Sequence, residues 1–436
     1  MKVAVVGAGW AGCAAAVESQ RLGHQVTLFE AARTPGGRAR AVAVTHREGD
    51  AETPLLLDNG QHILIGAYAE TLKLMADLGV DVGTALLRMP LTMQFPDGSG
   101  LKLPDWPAPL DALAGILSAR GWTWTDRLSL LRVAMGWQLG GFQCAPSVTV
   151  SGLCRGLSAG AMRQLIEPLC VSALNTPPQR ASGQVFLRVM RDALFSASGG
   201  SNLLLPRIDL GALLPDAALT WLASQGATVV TGSRVQTITA ADAVRGSGWV
   251  VSGDTPDVRV TGIFDAVILA CPPGEAARLA LAAGDAAATW IGHARELTHE
   301  AITTVYAQAP GERLAQPMLA LHASEAAPAQ FVFDRGQLGG PPGLLAFVVS
   351  ASTGDAATLT QQVLAQGLEQ LGLRSLEPVK TIVEKRATFA CTPGLVRPAM
   401  QIADHWLACG DYVEGPYPAT LEGAVRSGLA AARQLG

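Results

Sequence analysis

The sequence predicts an α/β protein built on a parallel sheet, into which a second, α+β unit of helices and strands is inserted. A short apolar strand at Lys2–Val6 leads through a glycine-rich turn into a helix at Ala11–Leu22. Two further apolar strands, Phe264–Ala270 and Trp406–Cys409, lie far along the chain. The length of 436 residues exceeds that of a usual single domain and predicts two.

Composition and charge exclude several classes of protein. The net charge is −4 and Lys and Arg form no block, which argues against a nucleic-acid partner. The seven cysteines are irregularly spaced without a C-x-x-C pair, a pattern that predicts reduced thiols, a cytoplasmic location and no metal site. No uncharged apolar run reaches the roughly 18 residues of a membrane-spanning helix, so we expect none.

The turn after the first strand, Gly7-Ala8-Gly9-Trp10-Ala11-Gly12, fits the pattern G-x-G-x-x-G. Its first glycine allows a tight turn, its second lets a pyrophosphate approach the backbone, and its third lets helix and strand pack closely. The helix N-terminus then offers amide donors and its positive dipole end to the phosphates. Alone, the hexapeptide is also compatible with an ordinary glycine-rich turn.

Three further features favour a flavin dinucleotide. Glu30 ends the second strand, Gln25–Glu30, where a carboxylate can accept both ribose hydroxyls and disfavours a 2′-phosphate. A second glycine pair followed by arginine, Gly36-Gly37-Arg38, adds backbone near the pyrophosphate and the flavin ring. Near the C-terminus, Asp411 can reach the ribityl chain and the Glu422-Gly423-Ala424 helix start can face the flavin edge.

Between these segments the chain predicts a mixed unit. Two strands at 91–95 and 101–104 form a hairpin, and residues from Pro109 to about Arg191 are helical. Short strands return at Gln225–Ile238, and segments near 301–307, 330–333 and 344–350 suggest a second sheet. Alanine-rich stretches near 276–288 and 323–329 are expected to be exposed linkers.

The spacing E-x5-G-G-R, the turn Asp58-Asn59-Gly60-Gln61-His62 and the C-terminal G-D…E-G-A…S-G resemble the flavin amine oxidase and phytoene desaturase superfamily. The resemblance implies FAD and a discontinuous Rossmann-like domain from 1–85, 205–272 and 403–436, with a substrate domain from 86–204 and 273–402. One departure is Ala32, where amine oxidases often carry a basic residue; Arg33 follows it. The predicted FAD-binding residues are Gly7, Gly9, Trp10, Ala11, Gly12, Glu30, Arg33, Gly37, Arg38, Val235, Asp411, Glu422 and Ala424, with Val235 matching a strand residue whose backbone contacts the adenine.

Three stretches narrow the resemblance. They are 57–68, parts of 167–187, and 418–425, and they look like the bacterial hydroxysqualene dehydroxylase family, also called squalene-associated FAD-dependent desaturases. That family implies reductive removal of a hydroxyl from hydroxysqualene, which gives squalene for hopanoid-type triterpenes. The sequence does not identify the donor that reduces FAD. An isoprenoid substrate of this size suggests delivery from a membrane, and Trp122, Trp124 and Trp137 are either interfacial or buried.

The implied chemistry requires a group that helps the hydroxyl leave as water while a hydride reaches the carbon. His62 is the first candidate for this general acid, and the alternative is that it only bonds the flavin or the backbone. Arg188, Arg191 and Asp192 lie on one predicted helix, with Arg188 and Asp192 four residues apart, which favours a structural ion pair or a solvated face over a catalytic role. Three other functions stay open: a carotenoid or phytoene desaturase, an amine oxidase, and a non-catalytic prenyl-lipid carrier.

Overall fold

The computed structural model describes residues 1–48, 51–194, 199–241, 248–254 and 263–436. The strands are β1 (Lys2–Val6), β2 (Gln25–Phe29), β3 (Ala41–Glu48), β4 (Ala51–Asp58), β5 (Leu64–Ile65), β6 (Leu86–Met89), β7 (Thr92–Gln94), β8 (Gly100–Lys102), β9 (Leu203–Pro206), β10 (Thr228–Val230), β11 (Val235–Ala240), β12 (Trp249–Gly253), β13 (Ile263–Phe264), β14 (Ala266–Leu269), β15 (His299–Gln308), β16 (Met318–Ala320), β17 (Phe331–Asp334), β18 (Leu344–Ser350), β19 (Glu377–Phe389), β20 (Gln401–Ala403) and β21 (Trp406–Ala408). The helices are α1 (Trp10–Arg21), α2 (Ala69–Asp77), α3 (Val82–Ala85), α4 (Leu110–Ser118), α5 (Trp124–Leu139), α6 (Val150–Leu153), α7 (Ala159–Ala161), α8 (Glu167–Leu174), α9 (Gly183–Leu194), α10 (Leu210–Leu213), α11 (Pro215–Ser224), α12 (Pro273–Ala280), α13 (Ala288–Glu296), α14 (Ala356–Leu371) and α15 (Leu421–Arg433).

A six-stranded sheet in the order β10-β2-β1-β14-β21-β20 brings together segments that are distant in the sequence. Its first five strands run parallel, and β20 pairs antiparallel with β21 at one edge. Strands β1 and β14 are buried almost throughout, as expected for a parallel sheet covered on both faces. The predicted α/β fold is therefore confirmed.

A second, antiparallel sheet has the order β16-β17-β18-β15-β19 and contains the three predicted segments near 301, 330 and 344. The long edge strand β19 was not predicted from the sequence. Its residues read E-P-V-K-T-I-V-E-K-R-A-T-F, and charged side chains interrupt the apolar alternation that marks a strand. Helices α4 to α9 occupy the predicted helical region, and β7 and β8 form the predicted hairpin.

One of the two alanine-rich stretches differs from its expectation in its first part. Residues 276–280 are not an exposed linker, because they belong to α12, which buries Ala276, Ala277 and Ala280 completely; residues 281–286 of the following 3-10 helix are mostly exposed, as expected. Alanine is a strong helix former and a small side chain, so such a run can pack tightly as well as stay exposed. The second stretch does begin as an exposed connection, at residues 323–326 between β16 and β17.

Candidate active site

A large cavity of about 1040 Å³ lies between the carboxyl ends of the parallel strands and the antiparallel sheet. One end is lined by backbone from the two glycine turns, and the other by apolar side chains of the second sheet and of helices α8 and α9. In open α/β sheets, ligands bind outside the carboxyl ends of the strands. Ten of the predicted cofactor residues line it: Gly7, Gly9, Trp10, Ala11, Glu30, Gly37, Arg38, Val235, Asp411 and Ala424.

The first glycine turn is held by contacts that tolerate no side chain at two of its positions. Gly7 has φ +111°, and a Cβ there would lie 2.6 Å from the carbonyl oxygen of Ala270. A Cβ on Gly12 would lie 1.8 Å from the carbonyl oxygen of Gly7. Gly12 therefore lets α1 pack against the turn, as its sequence position predicts, and it lies outside the cavity lining.

The second glycine turn faces the first one across the cavity wall. The amide of Gly36 donates to the carbonyl oxygen of Ala8 at 2.8 Å, and Gly9 and Gly36 form an isolated parallel bridge. A Cβ on Gly37 would lie 3.3 Å from the Cα of Gly9, so side chains on either glycine would fill the space between the turns. The indole nitrogen of Trp10 donates to the carbonyl oxygen of Ala39 at 3.0 Å and fixes the end of the second turn.

Glu30 links the first turn to the end of β2. Its carboxylate accepts a hydrogen bond from the amide of Ala8 at 2.7 Å through one oxygen and from the amide of Ala32 at 2.8 Å through the other. The side chain is half-buried and lines the cavity. Because carboxylate oxygens have several lone pairs, the same group can still accept from a ligand hydroxyl.

Arg38 connects three distant parts of the chain. Its guanidinium donates to the carboxylate of Asp411 at 2.5 Å and to the carbonyl oxygen of Ala387 at 2.7 Å. Asn59, from the turn after β4, donates to the carbonyl oxygen of Arg38 and to the carboxylate of Glu384. The segments that meet at the cavity are thus tied by charge-assisted hydrogen bonds, which are stronger than neutral ones.

Besides Gly12, two predicted cofactor residues lie away from the cavity lining. Glu422 is fully buried, and its carboxylate accepts from the amide and hydroxyl of Thr71 and from Arg426. Direct contact with a cofactor was expected of this residue; here it joins α15 to the first turn of α2. Arg33 is exposed on the loop after β2, with its Cγ close to Gly232.

His62 lines the cavity directly after the turn that carries Asn59. Burial, together with the positive charge of Arg38, lowers the pKa of this imidazole to about 4. The side chain is therefore neutral near neutral pH. It can donate or accept a hydrogen bond but does not carry the extra proton of an imidazolium acid.

The apolar end of the cavity is walled by two layers. Phe331, Phe333 and Val348 contribute from the antiparallel sheet, and Val189 and Met190 contribute from α9. At the mouth of this region Arg188 pairs with Asp192 at 2.6 Å, which confirms the predicted ion pair. Such a chamber suits a hydrocarbon chain.

Sequence reasoning missed several polar residues that line the cavity. His299 at the start of β15, and Glu384 and Arg386 on β19, all face it, and burial lowers the pKa of His299. Glu384 and Arg386 were missed because β19 itself was not predicted, and His299 lies just before the segment predicted near 301–307. Tyr412 follows Asp411, and its buried hydroxyl has no hydrogen-bond partner among the described residues. Burial raises its pKa well above the usual value, so it stays protonated as a donor.

These observations agree with a bound flavin dinucleotide. The two facing glycine turns leave a cradle that any Cβ at Gly9 or Gly37 would narrow, and the first N–H groups of α1 have no partner within the helix. Glu30 and Asp411 lie at separate points along the cavity, as an extended ligand with two sugar-like hydroxylated parts requires. The orphan hydroxyl of Tyr412 supplies a further donor beside it.

Comparison with solved structures shows the same fold. An oxidoreductase from Methanosarcina mazei matches over 100% of both chains with a TM-score of 0.70 and 17% identity. Cyclohexylamine oxidase from Brevibacterium oxydans matches with a TM-score of 0.65 and 16% identity over 100% of this chain and 98% of that one. At these identities the likeness shows the fold alone.

Relatives found by sequence share more identical residues with this chain than these solved structures do. This chain is 28% identical to hydroxysqualene dehydroxylase of Rhodopseudomonas palustris and 25% identical to that of Sinorhizobium fredii, in each case over 99% of this chain and 97% of the relative. Similarity to 15-cis-phytoene desaturase of Synechococcus elongatus is partial, at 29% identity over 29% of this chain and 27% of that protein. The model of the family described as flavin-containing amine oxidoreductase matches residues 10–436. The chain therefore belongs to the flavin-containing amine oxidoreductases, and it is an enzyme that uses FAD.

Proposed function

We propose that this enzyme removes the hydroxyl group of hydroxysqualene reductively and releases squalene. The relatives that match along the whole chain carry the name of this activity. The observation that carries the proposal is the continuity of the cavity, which passes from the glycine turns into a chamber walled by apolar side chains. A triterpene alcohol has one polar group on a long hydrocarbon, and this chamber offers few polar groups beyond those near the flavin end.

Six of the predicted cofactor residues have a proposed role. The backbone at Gly9 and Gly37 receives the pyrophosphate, Glu30 accepts from the ribose, and Val235 lies beside the adenine. Asp411 holds the ribityl chain, and Arg38 fixes the carboxylate of Asp411. We further propose that the segments 1–85, 205–272 and 403–436 form the cofactor domain, and that 86–204 and 273–402 form the substrate domain.

The reaction balances as the loss of one C–O bond and the gain of one C–H bond, and it consumes one hydride and one proton; the proton is taken up from solvent and leaves with the hydroxyl as water. Bound reduced FAD supplies the hydride for the new C–H bond. The apolar walls exclude water and hold the hydrocarbon, so the reacting carbon is protected from hydrolysis. His62, neutral at working pH, donates a hydrogen bond to the departing oxygen rather than carrying an imidazolium proton.

The setting of this activity is also proposed. Squalene made here would feed hopanoid-type triterpenes, and a separate electron donor would reduce FAD. All seven cysteines are free thiols in the structure, which agrees with a reducing, cytoplasmic compartment. The substrate would reach the cavity from the inner face of a membrane, with the protein bound peripherally.

A substrate panel tests the proposed reaction. Purified holoenzyme is incubated anaerobically with a chemical reductant and hydroxysqualene, and separately in its oxidised form with phytoene or an amine. We expect squalene from the first mixture and no flavin reduction in the others. Flavin reduction by phytoene, with no squalene from hydroxysqualene, would assign the chain to the desaturases instead.

A further inference from the structure

A concentrated apolar surface lies on the helical hairpin of α4 and α5. Large hydrophobic side chains here are strongly exposed, reaching 65% for Trp124, 61% for Leu128 and 83% for Leu139. Single exposed leucines are normal, but a contiguous group marks an interaction surface. We call this group the α4–α5 surface, and its members are Trp106, Leu110, Leu113, Leu117, Trp124, Leu128, Met135 and Leu139.

The exposed apolar residues of α4 and α5 recur at helical spacing, so they share one face of each helix. On α5 the spacings from Trp124 to Leu128, Met135 and Leu139 are 4, 11 and 15 residues, which place all four within about 60° of the helix circumference. On α4, Leu110, Leu113 and Leu117 form a similar stripe. Helix α5 buries only Asp126 and Leu130 among its residues, so this stripe is not part of the core.

The charges around the stripe are mostly positive, and one exposed acid, Asp105, lies beside Trp106 at its edge. From 106 to 143 the charged residues are Asp111, Arg120, Asp126, Arg127 and Arg132, and both acids are buried. Asp126 is occupied by hydrogen bonds from Thr123 and Ser158. Within this range only the arginines are left to face solvent, in a chain whose net charge is −4.

The two arginines of α5 flank the apolar stripe on opposite sides. At 100° per residue, Arg127 lies about 60° to one side of Trp124, and Arg132 lies about 80° to the other. The guanidinium of Arg127 also stacks over the Trp124 ring, 5.0 Å from its centroid. An apolar stripe with tryptophan, bordered by cations, is the pattern of a helix that lies in the interface of an anionic bilayer.

The surface is connected to the cavity wall. Trp137, on the other side of α5, packs edge-on against Phe186 of α9 with centroids 6.1 Å apart. The next turn of α9 carries Val189 and Met190, which line the apolar chamber. Of the three tryptophans singled out in the sequence, Trp124 is exposed, Trp122 is buried and Trp137 is half-buried.

We propose that the α4–α5 surface docks the enzyme onto a lipid bilayer that contains anionic headgroups, with the apolar stripe inserted at the interface. Within the described residues no helix is long and apolar enough to cross a membrane, so the contact is peripheral. A second copy of the chain fits less well. A two-fold contact sets each patch against itself, and here that would place Arg120, Arg127 and Arg132 against their own copies, with Asp105 as the one exposed acid between 105 and 143.

The proposal is tested by sedimentation of holoenzyme with vesicles of phosphatidylcholine, with and without phosphatidylglycerol, in the absence of substrate. We expect the double variant Leu128→Ser/Leu139→Ser to lose at least about tenfold in vesicle affinity, since each buried leucine contributes that order. The matched control Leu281→Ser/Leu368→Ser removes two leucines of similar exposure elsewhere and should bind as the wild type does. Arg127→Gln/Arg132→Gln should abolish the preference for phosphatidylglycerol.

Two results would overturn the proposal. One is equal vesicle binding by the wild type and the Leu128→Ser/Leu139→Ser variant. The other is a wild-type dimer in sedimentation equilibrium that this variant converts to monomer, which would assign the surface to a second copy. The membrane proposal rests on the proposed function in one respect only: an isoprenoid substrate would be drawn from a membrane. Vesicle binding is measured without turnover, so either proposal can fail while the other stands.

Discussion

The guanidinium of Arg38 lies 2.5 Å from the buried carboxylate of Asp411, so a residue of the second glycine turn is paired with one 373 positions later. Without the arginine, Asp411 would be left as an uncompensated buried charge. We expect Arg38→Met to weaken FAD binding by roughly ten- to a hundredfold, the range for losing a charge-assisted hydrogen bond. Titration of apoprotein with FAD, followed by flavin fluorescence, measures this change.

A matched control separates this effect from the loss of any surface arginine. Arg433 pairs with Glu18 at 2.7 Å, and neither residue lines the cavity. Arg433→Met should therefore leave the FAD affinity unchanged, because exposed pairs contribute little. Equal FAD affinities in Arg38→Met and the wild type would show that the pair of Arg38 with Asp411 does not help to hold FAD.

Substitutions at Gly9 and Gly12 of the first turn should distinguish an effect on cofactor binding from an effect on folding. Gly9→Val leaves the nearest backbone contact at ordinary distance but fills the space between the turns, so we expect a folded, colourless apoprotein. Gly12→Val collides with the backbone of Gly7 and should lower the melting temperature markedly. FAD per chain and thermal unfolding are the two measurements. Gly292→Val, where a Cβ meets nothing within 4 Å, is the control, and a yellow Gly9→Val holoenzyme would refute the phosphate-turn assignment.

The lowered pKa of His62 predicts the shape of a pH profile. With a pKa of about 4 the imidazole is neutral over the working range, so its contribution should not titrate there. We expect His62→Gln to lower the rate by a similar factor at every pH between about 5.5 and 8, roughly tenfold for a lost hydrogen bond at the reacting oxygen. Single-turnover rates across this range test it. An imidazolium acid with an ordinary pKa would instead give a wild-type rate that falls above about pH 6.5 while the variant stays flat.

The buried carboxyl of Asp58 makes folding stability depend on pH. Burial raises its pKa to about 6, although it accepts a hydrogen bond from the amide of Leu210 and lies 3.8 Å from Arg335. The folded state thus holds this proton more tightly than the unfolded state. The stabilisation from protonation is complete below the unfolded pKa near 4 and is lost as the pH rises to about 6.

Substitution of Asp58 by asparagine removes this pH-dependent contribution to folding stability. Relative to the wild type, Asp58→Asn should gain up to about 3 kcal/mol in the free energy of unfolding between pH 4 and pH 7, the equivalent of a two-unit shift. Denaturant unfolding at both pH values measures the difference, with the exposed Asp404→Asn as control. A difference that is the same at both pH values would contradict the raised pKa.

Much of the cofactor end was predictable because its signals are local. Gly7 to Gly12, the helix that follows and Glu30 all fall within the first 30 residues, where strand, turn and helix patterns are contiguous. The same local logic predicted the antiparallel strands β17 and β18, which are apolar and fully buried, and β15, whose second half is buried.

The rest depends on contacts that a sequence pattern does not contain. The pairing of Arg38 with Asp411 and of Asn59 with Glu384 spans more than 300 residues, and β19 carries too many charges to read as a strand. The same limit applies to Glu422, whose motif suggested a cofactor contact while its carboxylate lies in a buried network with Thr71 and Arg426.

The central claim is that electrons flow from reduced FAD to a triterpene alcohol. It is tested most directly by mixing anaerobically reduced holoenzyme with one equivalent of hydroxysqualene and following flavin absorbance and product together. We expect oxidised flavin to return as squalene forms, with one molecule of squalene for each flavin and no added oxidant. Flavin that stays reduced while hydroxysqualene is recovered unchanged would contradict it.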